Sequence, residues 1–165
     1  MANYSFDIES DYDKSELNNV VDQAKREINN RYDLKGTSAS LDWANSDKTA
    51  LKVVGDSQFH IDSILDIVRK KLALRGQSQK VLDTSSEPIS SNLKITQEIK
   101  LVKGLDQEKA KKITNLIRDN YPKVKAQVMG EAVRITSPKK DELQQVINLI
   151  KTTEFDFPII FTNYR

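Results

Sequence analysis

The sequence predicts an α+β chain assembled from two tandem copies of one β-α-β-β-α-β unit. Three observations carry that reading. Over 165 residues, the spacing of apolar side chains switches between two and about 3.6 in the same order twice. The two halves also align residue by residue. Helix breakers and turn residues fall at matching places in both.

In the first half, Tyr4, Phe6 and Ile8 alternate as in a strand. Leu17, Val20, Val21, Ala24 and Ile28 then mark one face of a helix, with Asp13 or Ser15 as its N-cap. The stretch NNRYDLKG (29–36) forms the elbow into the next strand. In it Tyr32 continues the apolar stripe from Ile28 and is expected to pack at the helix end. Asp33 favours the turn and Gly36 permits it. Thr37, Ala39, Leu41 and Trp43 alternate again, Trp43 as a core anchor. NSDK (45–48) turns, and Leu51 and Val53 return. Ile61, Ile64, Leu65, Val68 and Leu72 give a second helix, which Gly76 is placed to terminate, and a short strand follows around Val81.

The second half repeats the order. Leu93, Ile95, Ile99 and Leu101 alternate as a strand. Ala110, Ile113, Leu116 and Ile117 mark a helix that Pro122 stops. Val124, Ala126 and Val128 lead to a tight turn at Gly130–Glu131, with Val133 and Ile135 returning. Leu143, Val146, Ile147 and Ile150 mark the last helix before a strand in FPIIFTNY (157–164). LKVVGD (51–56) lies over VRITSP (133–138) at an offset of 82, and SILDIVRK (63–70) over QVINLIKT (145–152). The first helices match at 89, Ile28 over Ile117 and Tyr32 over Tyr121. This is the ferredoxin-like plan: two helices on one face of a four-stranded antiparallel sheet, in units 1–91 and 92–165. Units this small have marginal cores, so the two are expected to pack on each other.

Composition narrows the function classes. Apolar content of 38% with 30% charge describes a globular chain, and no apolar run approaches the ~20 residues that span a bilayer. The acidic, alternating opening MANYSFDIESDYD resembles neither a signal nor a transit peptide, so the cytoplasm is the expected compartment. Absent cysteine excludes disulfides and thiol catalysis. The five glycines are isolated, so there is no phosphate loop and no dinucleotide fingerprint. The one histidine, His60, reads as an ordinary helix residue, and Asp11–Asp13 reads as helix-capping charge. Neither an enzyme nor a bound cofactor or metal is expected.

Charge is uneven. Residues 1–91 hold 12 basic and 15 acidic side chains, and residues 92–165 hold 14 and 9. Strand alternation places Lys94, Lys100, Lys123, Lys125 and Arg134 on the open sheet face of the second unit, a basic surface suited to a polyanion. The central strands offer no aromatic, which argues against the standard RNA-recognition version of this fold.

Several stretches together resemble one family: YSFDIES, NNVVDQAKREINNRYDLKG, ILDIVRKKLALRG, VKAQVMGEAVRIT, KKDELQQVINLIK and FTNYR, in order over essentially the whole chain. They are similar to the YajQ-like family of small bacterial nucleotide-binding proteins. The resemblance implies a non-enzymatic nucleotide binder, with cyclic di-GMP or a GTP-like nucleotide as ligand and RNA as the alternative. A protein partner recruited through an edge strand is a third reading. It also implies that the units exchange their first strands. Asp7 and Glu9 would then share a sheet with Lys125 and Arg134, and Lys94 and Lys100 would lie beside Lys52. Where the family pattern reads Thr-Gly-Lys, this chain has TSPKKD, so an anion at that helix start would depend on Lys139 and Lys140. Phosphate and guanine contacts need Arg forks and Lys point charges. The candidates are Arg31, Lys35, Arg75, Lys125, Arg134, Lys139 and Lys140.

Overall fold

A computed structural model describes residues 3–165. Its strands are β1 (Tyr4–Glu9), β2 (Ser40–Trp43), β3 (Ala50–Gly55), β4 (Leu82–Asp83), β5 (Ile89–Ser91), β6 (Lys94–Leu101), β7 (Lys125–Met129), β8 (Ala132–Ser137) and β9 (Ile160–Thr162). Its helices are α1 (Lys14–Asn30), α2 (Gln58–Leu74), α3 (Gln107–Asn120) and α4 (Lys140–Thr152). Together they make two ferredoxin-like units, each an antiparallel sheet with two helices. Among the described residues no helix is long and apolar enough to cross a membrane.

One compact unit, here unit 1, joins the N-terminal strand to Lys103–Arg165; the other, unit 2, runs Tyr12–Val102. Unit 1 has the strand order β7-β8-β1-β9, with β1 between β8 and β9. Unit 2 has the order β2-β3-β6-β4, with β5 also pairing β6. The repeat divides the sequence at residue 91, whereas β1 and β6 find their neighbours across that division.

This pairing corrects the expected basic sheet. Lys94 and Lys100 stand on β6, where Lys52 and Glu98 face each other across strands. Lys125 and Arg134 stand in the sheet that holds Asp7 and Glu9, and Asp7 faces Arg134 directly. The five cations therefore do not share one sheet, because strand partnership rather than sequence half decides which charges meet.

Local chemistry explains the helix ends. The Asp13 carboxylate accepts the Ser15 and Glu16 N–H groups at 2.9 and 3.2 Å, satisfying two of the donors a helix start leaves open. Asp106 does the same for Lys109 at 2.8 Å. After α2, Gly76 takes φ +71° while the Gln77 N–H donates to Leu72 C=O at 2.8 Å and the Gly76 N–H to Ala73 C=O at 3.1 Å. That is a Schellman ending, which needs the left-handed residue that glycine supplies. His60 is an ordinary residue of α2, its Nδ1 accepting the Asp56 N–H at 3.0 Å.

The periodic apolar residues fill the cores. Leu17, Val20, Val21 and Ala24 of α1 meet Ile61, Ile64, Val68 and Leu72 of α2 over Leu51, Val53 and Ile99. In unit 1, Phe6, Ile8, Ile113, Ile117, Val133, Ile135 and Val146 are buried. Trp43 only borders its core, half-buried, with the Lys48 amine 5.7 Å above its ring.

The elbow departs from expectation. α1 ends at Asn30, Arg31 turns extended, and Tyr32 is 98% exposed instead of packing at the helix end. Leu34, at 1%, enters the core in its place. Leu93, expected on a strand, sits at φ +65° in the β5–β6 turn and is 96% exposed. Val128 is half exposed because β7 is an edge strand.

Replacing Leu34 by Ala should therefore cost about 2–5 kcal/mol, as expected for a buried leucine. Tyr32→Ala should stay within about 0.5 kcal/mol of the parent. Urea-unfolding midpoints of the two variants check this, and equal losses would refute the assignment of the elbow's anchor.

Candidate functional site

Two of the seven candidate cations are engaged in bidentate pairs. In unit 1, Arg134 on β8 donates from Nε to Asp7 Oδ1 at 2.9 Å and from Nη2 to Asp7 Oδ2 at 3.4 Å. Asp7 is 5% exposed, and the Asn163 side-chain amide also donates to Asp7 Oδ2, at 2.8 Å. The Arg134 hydrogen bond is the main force holding the Asp7 carboxyl below the usual carboxylate range; burial pushes it up, and Asn163 helps pull it down. In unit 2, Arg75 caps α2 and grips Glu16 of α1 through Nε and Nη2, the latter at 3.2 Å, which lowers the Glu16 carboxyl and pins the two helices together. Both guanidinium forks thus hold the fold together.

The remaining five cations face outward. Arg31 reaches Asp33 at 2.9 Å within the elbow, and Lys35 is exposed beside it. Lys125 lies opposite Thr136 on the edge strand β7. Lys139 precedes α4 and offers the helix no side-chain cap, its N–H donating to Ser137 Oγ at 3.1 Å. The first turn of α4 already carries Asp141 and Glu142, which answer the helix dipole and repel an added anion.

Lys140 leads elsewhere. It stands on the rim of a cavity of about 300 Å³ beside α4, lined by Tyr4, Ser5, Phe6, Leu143, Gln144, Ile147, Tyr164 and Arg165. The cavity follows from the chain path. α4 covers β8 and β1, and past its flank the C-terminal tail runs along β1, with Ser5 and Arg165 exchanging backbone hydrogen bonds at 3.2 and 2.9 Å. Phe6 forms the floor, stacked at 5.9 Å on Tyr164 and edge-on at 5.7 Å to Phe161. Leu143 and Ile147 give an apolar wall. Tyr4, Gln144, Lys140 and Arg165 supply ring, amide and two cations around it.

An apolar hollow with a few converging polar groups is the usual form of a small-molecule site. Two exposed tyrosine rings offer stacking faces, an amide can read a hydrogen-bonding edge, and the two cations can meet an anion. Among the described residues no cluster of His, Asp or Glu is grouped to hold a metal. Of the candidates, only Lys140 lines this cavity. Tyr4, Gln144, Tyr164 and Arg165 were missed. The sequence does carry one signal: Tyr4 shares strand parity with Phe6, which puts it on the helix side of β1.

Fold and cavity together define a small α+β protein of two ferredoxin-like units with a ring-lined hollow in one of them. Its relatives agree on the class. Proteins from Trichodesmium erythraeum and Nostoc punctiforme are 44% and 43% identical, over 98% and 99% of this chain and 97% and 99% of their own. One from Nocardioides is 44% identical over the full length of both. All three are named nucleotide-binding proteins. The family described as "Nucleotide-binding protein YajQ-like" matches residues 4–165, and the chain belongs to it.

The Asp7–Arg134 pair yields a test. A carboxylate whose pKa is lowered by folding adds stability above its unfolded value of about 4, and that contribution is lost as pH falls through the folded value. The parent should lose stability on acidification below about pH 4 more steeply than Asp7→Asn does. Arg134→Ala strands a buried carboxylate and should lower the melting midpoint by more than about 5 °C at neutral pH. Calorimetric scans across pH check both, and an unchanged Arg134→Ala midpoint would refute the structural role.

Proposed function

We propose that this protein binds a nucleotide in the cavity between β1, α4 and the C-terminal tail, and that its function is binding rather than turnover. The observation that carries the reading is the meeting of Tyr4 and Tyr164 with Lys140 and Arg165 around one apolar hollow. A base stacks on a tyrosine face, worth about 1–3 kcal/mol by alanine substitution. Lys140 and Arg165 meet the phosphate, the lysine as a point charge and the arginine as a fork. Gln144, with both an amide donor and an acceptor, reads the base edge. The names of the relatives support the ligand class.

A hollow of about 300 Å³ lies at the small end of ligand sites and suits one nucleotide. Cyclic di-GMP, the finer form of this reading, would place one guanosine in the hollow and leave the other outside it. It should then bind no more tightly than GMP unless groups beyond the hollow engage the second base.

Calorimetric titration with GMP, GTP, AMP and cyclic di-GMP, alongside two variants, is the test. Tyr164→Ala should weaken nucleotide binding by about 5- to 150-fold, since it removes one stacking face. Lys140→Ala should weaken the nucleotides while leaving the weak binding of the bare nucleoside unchanged. Absence of binding by any of the four nucleotides, or full affinity in both variants, would reject the site.

A further inference from the structure

After α2 the chain lays two short strands along one edge of β6. Leu82 and Asp83 of β4 pair Leu101 and Lys100, and Ile89, Ser90 and Ser91 of β5 pair Thr96, Ile95 and Lys94. Between them residues 84–88, TSSEP, span what residues 97–99 cover on β6. The surplus bulges out of the ladder, and Pro88 has no N–H with which to rejoin it early. The bulge is braced at several points. The buried Gln97 side-chain amide donates to Thr84 C=O at 3.3 Å and to Ser86 C=O at 2.9 Å. The Ser86 hydroxyl donates to Glu98 C=O, and the Ser85 N–H donates to Asp83 Oδ1 at 3.0 Å.

A hollow of about 470 Å³ lies between this bulge and the sheet. Its floor is Lys52 of β3 with Thr96, Glu98 and Lys100 of β6. These alternate with Leu51, Val53 and Ile99, which face the core, so the floor is the side of the sheet away from the helices. Ser86, Glu87 and Ile89 line the hollow from the bulge, and Ala44 from the end of β2. Two amines and two carboxylates thus meet over one small area. Lys52 and Glu98 are directly opposite across the β3–β6 ladder, and Lys100 is two places along β6 on the same face. Glu87 follows Ser86, whose hydroxyl is fixed on the Glu98 backbone. None of these four charges closes an ion pair among the described residues. Ile89, 69% exposed, adds an apolar surface beside them.

The charges of this lining cancel, and none of the described residues in it is aromatic. A phosphate would bring its negative charge against Glu87 and Glu98, and a base would find no ring to stack on. A ligand carrying both signs meets a partner for each. We propose that the hollow binds a small zwitterion with an apolar side chain, a free α-amino acid or a dipeptide. Lys52 and Lys100 take its carboxylate, Glu87 and Glu98 its ammonium, and Ile89 with Ala44 its side chain. Hydrogen bonds between ionised groups are about twice as strong as neutral ones, so losing either charge of the ligand is costly. A ligand with one charge also leaves the like-charged pair of the site facing it. The hollow lies wholly within unit 2 and does not rest on the assignment of the unit 1 cavity.

Calorimetric titration of the full chain, at up to millimolar ligand, tests the proposal. The ligands are leucine, leucyl-leucine, and two analogues with one charge each, isocaproate and isoamylamine. At least one of the two zwitterions should bind, and the tighter one fixes the charge separation that the site prefers. Isocaproate and isoamylamine should each bind more weakly than leucine by about 10- to 150-fold. Lys52→Gln and Glu98→Gln should each weaken the zwitterion by a similar factor, and both side chains are exposed, so the variants should fold. Glu98→Lys should reverse the preference, admitting isocaproate in place of the zwitterion. Excess GMP should leave the zwitterion bound, and Tyr164→Ala should not alter its affinity. The proposal is overturned if neither zwitterion binds, if isocaproate binds the parent as tightly as leucine does, if both glutamine variants keep full affinity, or if GMP displaces the ligand.

Discussion

Unit 1 depends on β1. The strand is hydrogen-bonded on both sides, to β8 and to β9, so without it the sheet would fall into a hairpin and an isolated C-terminal segment. Its partners lie far along the chain, Asp7 meeting Arg134 across 127 residues. Chain entropy permits this, because each doubling of a closed loop costs only about 0.6 kcal/mol. What must be specified is register, since a slip of one residue would turn Phe6 and Ile8 to the open face. The Asp7–Arg134 pair fixes that register from the other face, since a slip would strand a buried carboxylate without its guanidinium. Unit 2, by contrast, is one continuous segment whose central strand β6 comes from its own C-terminal end.

The same pairing governs the charges. The second half of the sequence carries the basic surplus, yet β1 brings Asp7 and Glu9 into the sheet that holds Arg134. The two guanidinium groups with good bidentate partners, Arg134 and Arg75, are used to hold strands and helices. A planar fork matched to a carboxylate suits that task. Among the candidate and cavity-lining cations, those left for an outside ligand are lysines and two arginines, Arg31 at the elbow and Arg165 in the tail. Counting cations along a sequence therefore overstates how many can meet a ligand.

Helices were legible because their apolar stripe is a local property: Leu17 through Ile28 and Ile61 through Leu72 are read correctly from spacing alone. Spacing failed where an element ended. Tyr32 lies four residues past Ile28 and belongs to the stripe only while the helix continues, but α1 stops at Asn30. The cavity was less legible still. Tyr4 and Tyr164 lie at opposite ends of the sequence and meet only because the tail pairs with Ser5. No periodicity within either segment encodes that meeting; of the flagged lysines, Lys140 lines the hollow, while Lys125 and Lys139 fall outside it.

The two copies of the elbow show how one fold plan acquires different surfaces. Tyr32 and Tyr121 occupy equivalent places in the repeat, each at the end of its unit's first helix. In unit 2 the buried anchor after the tyrosine is Leu34; in unit 1 it is Val124, one residue later relative to its tyrosine. That shift changes which way the chain leaves the helix. Tyr121 caps α3 and stays half-buried before Pro122, whereas Tyr32 is turned fully outward between Arg31 and Lys35. The repeat kept neither cation in unit 1, where Asn120 and Val124 stand instead. A one-residue difference in where the chain re-enters the core thus converts a packing tyrosine into an exposed one.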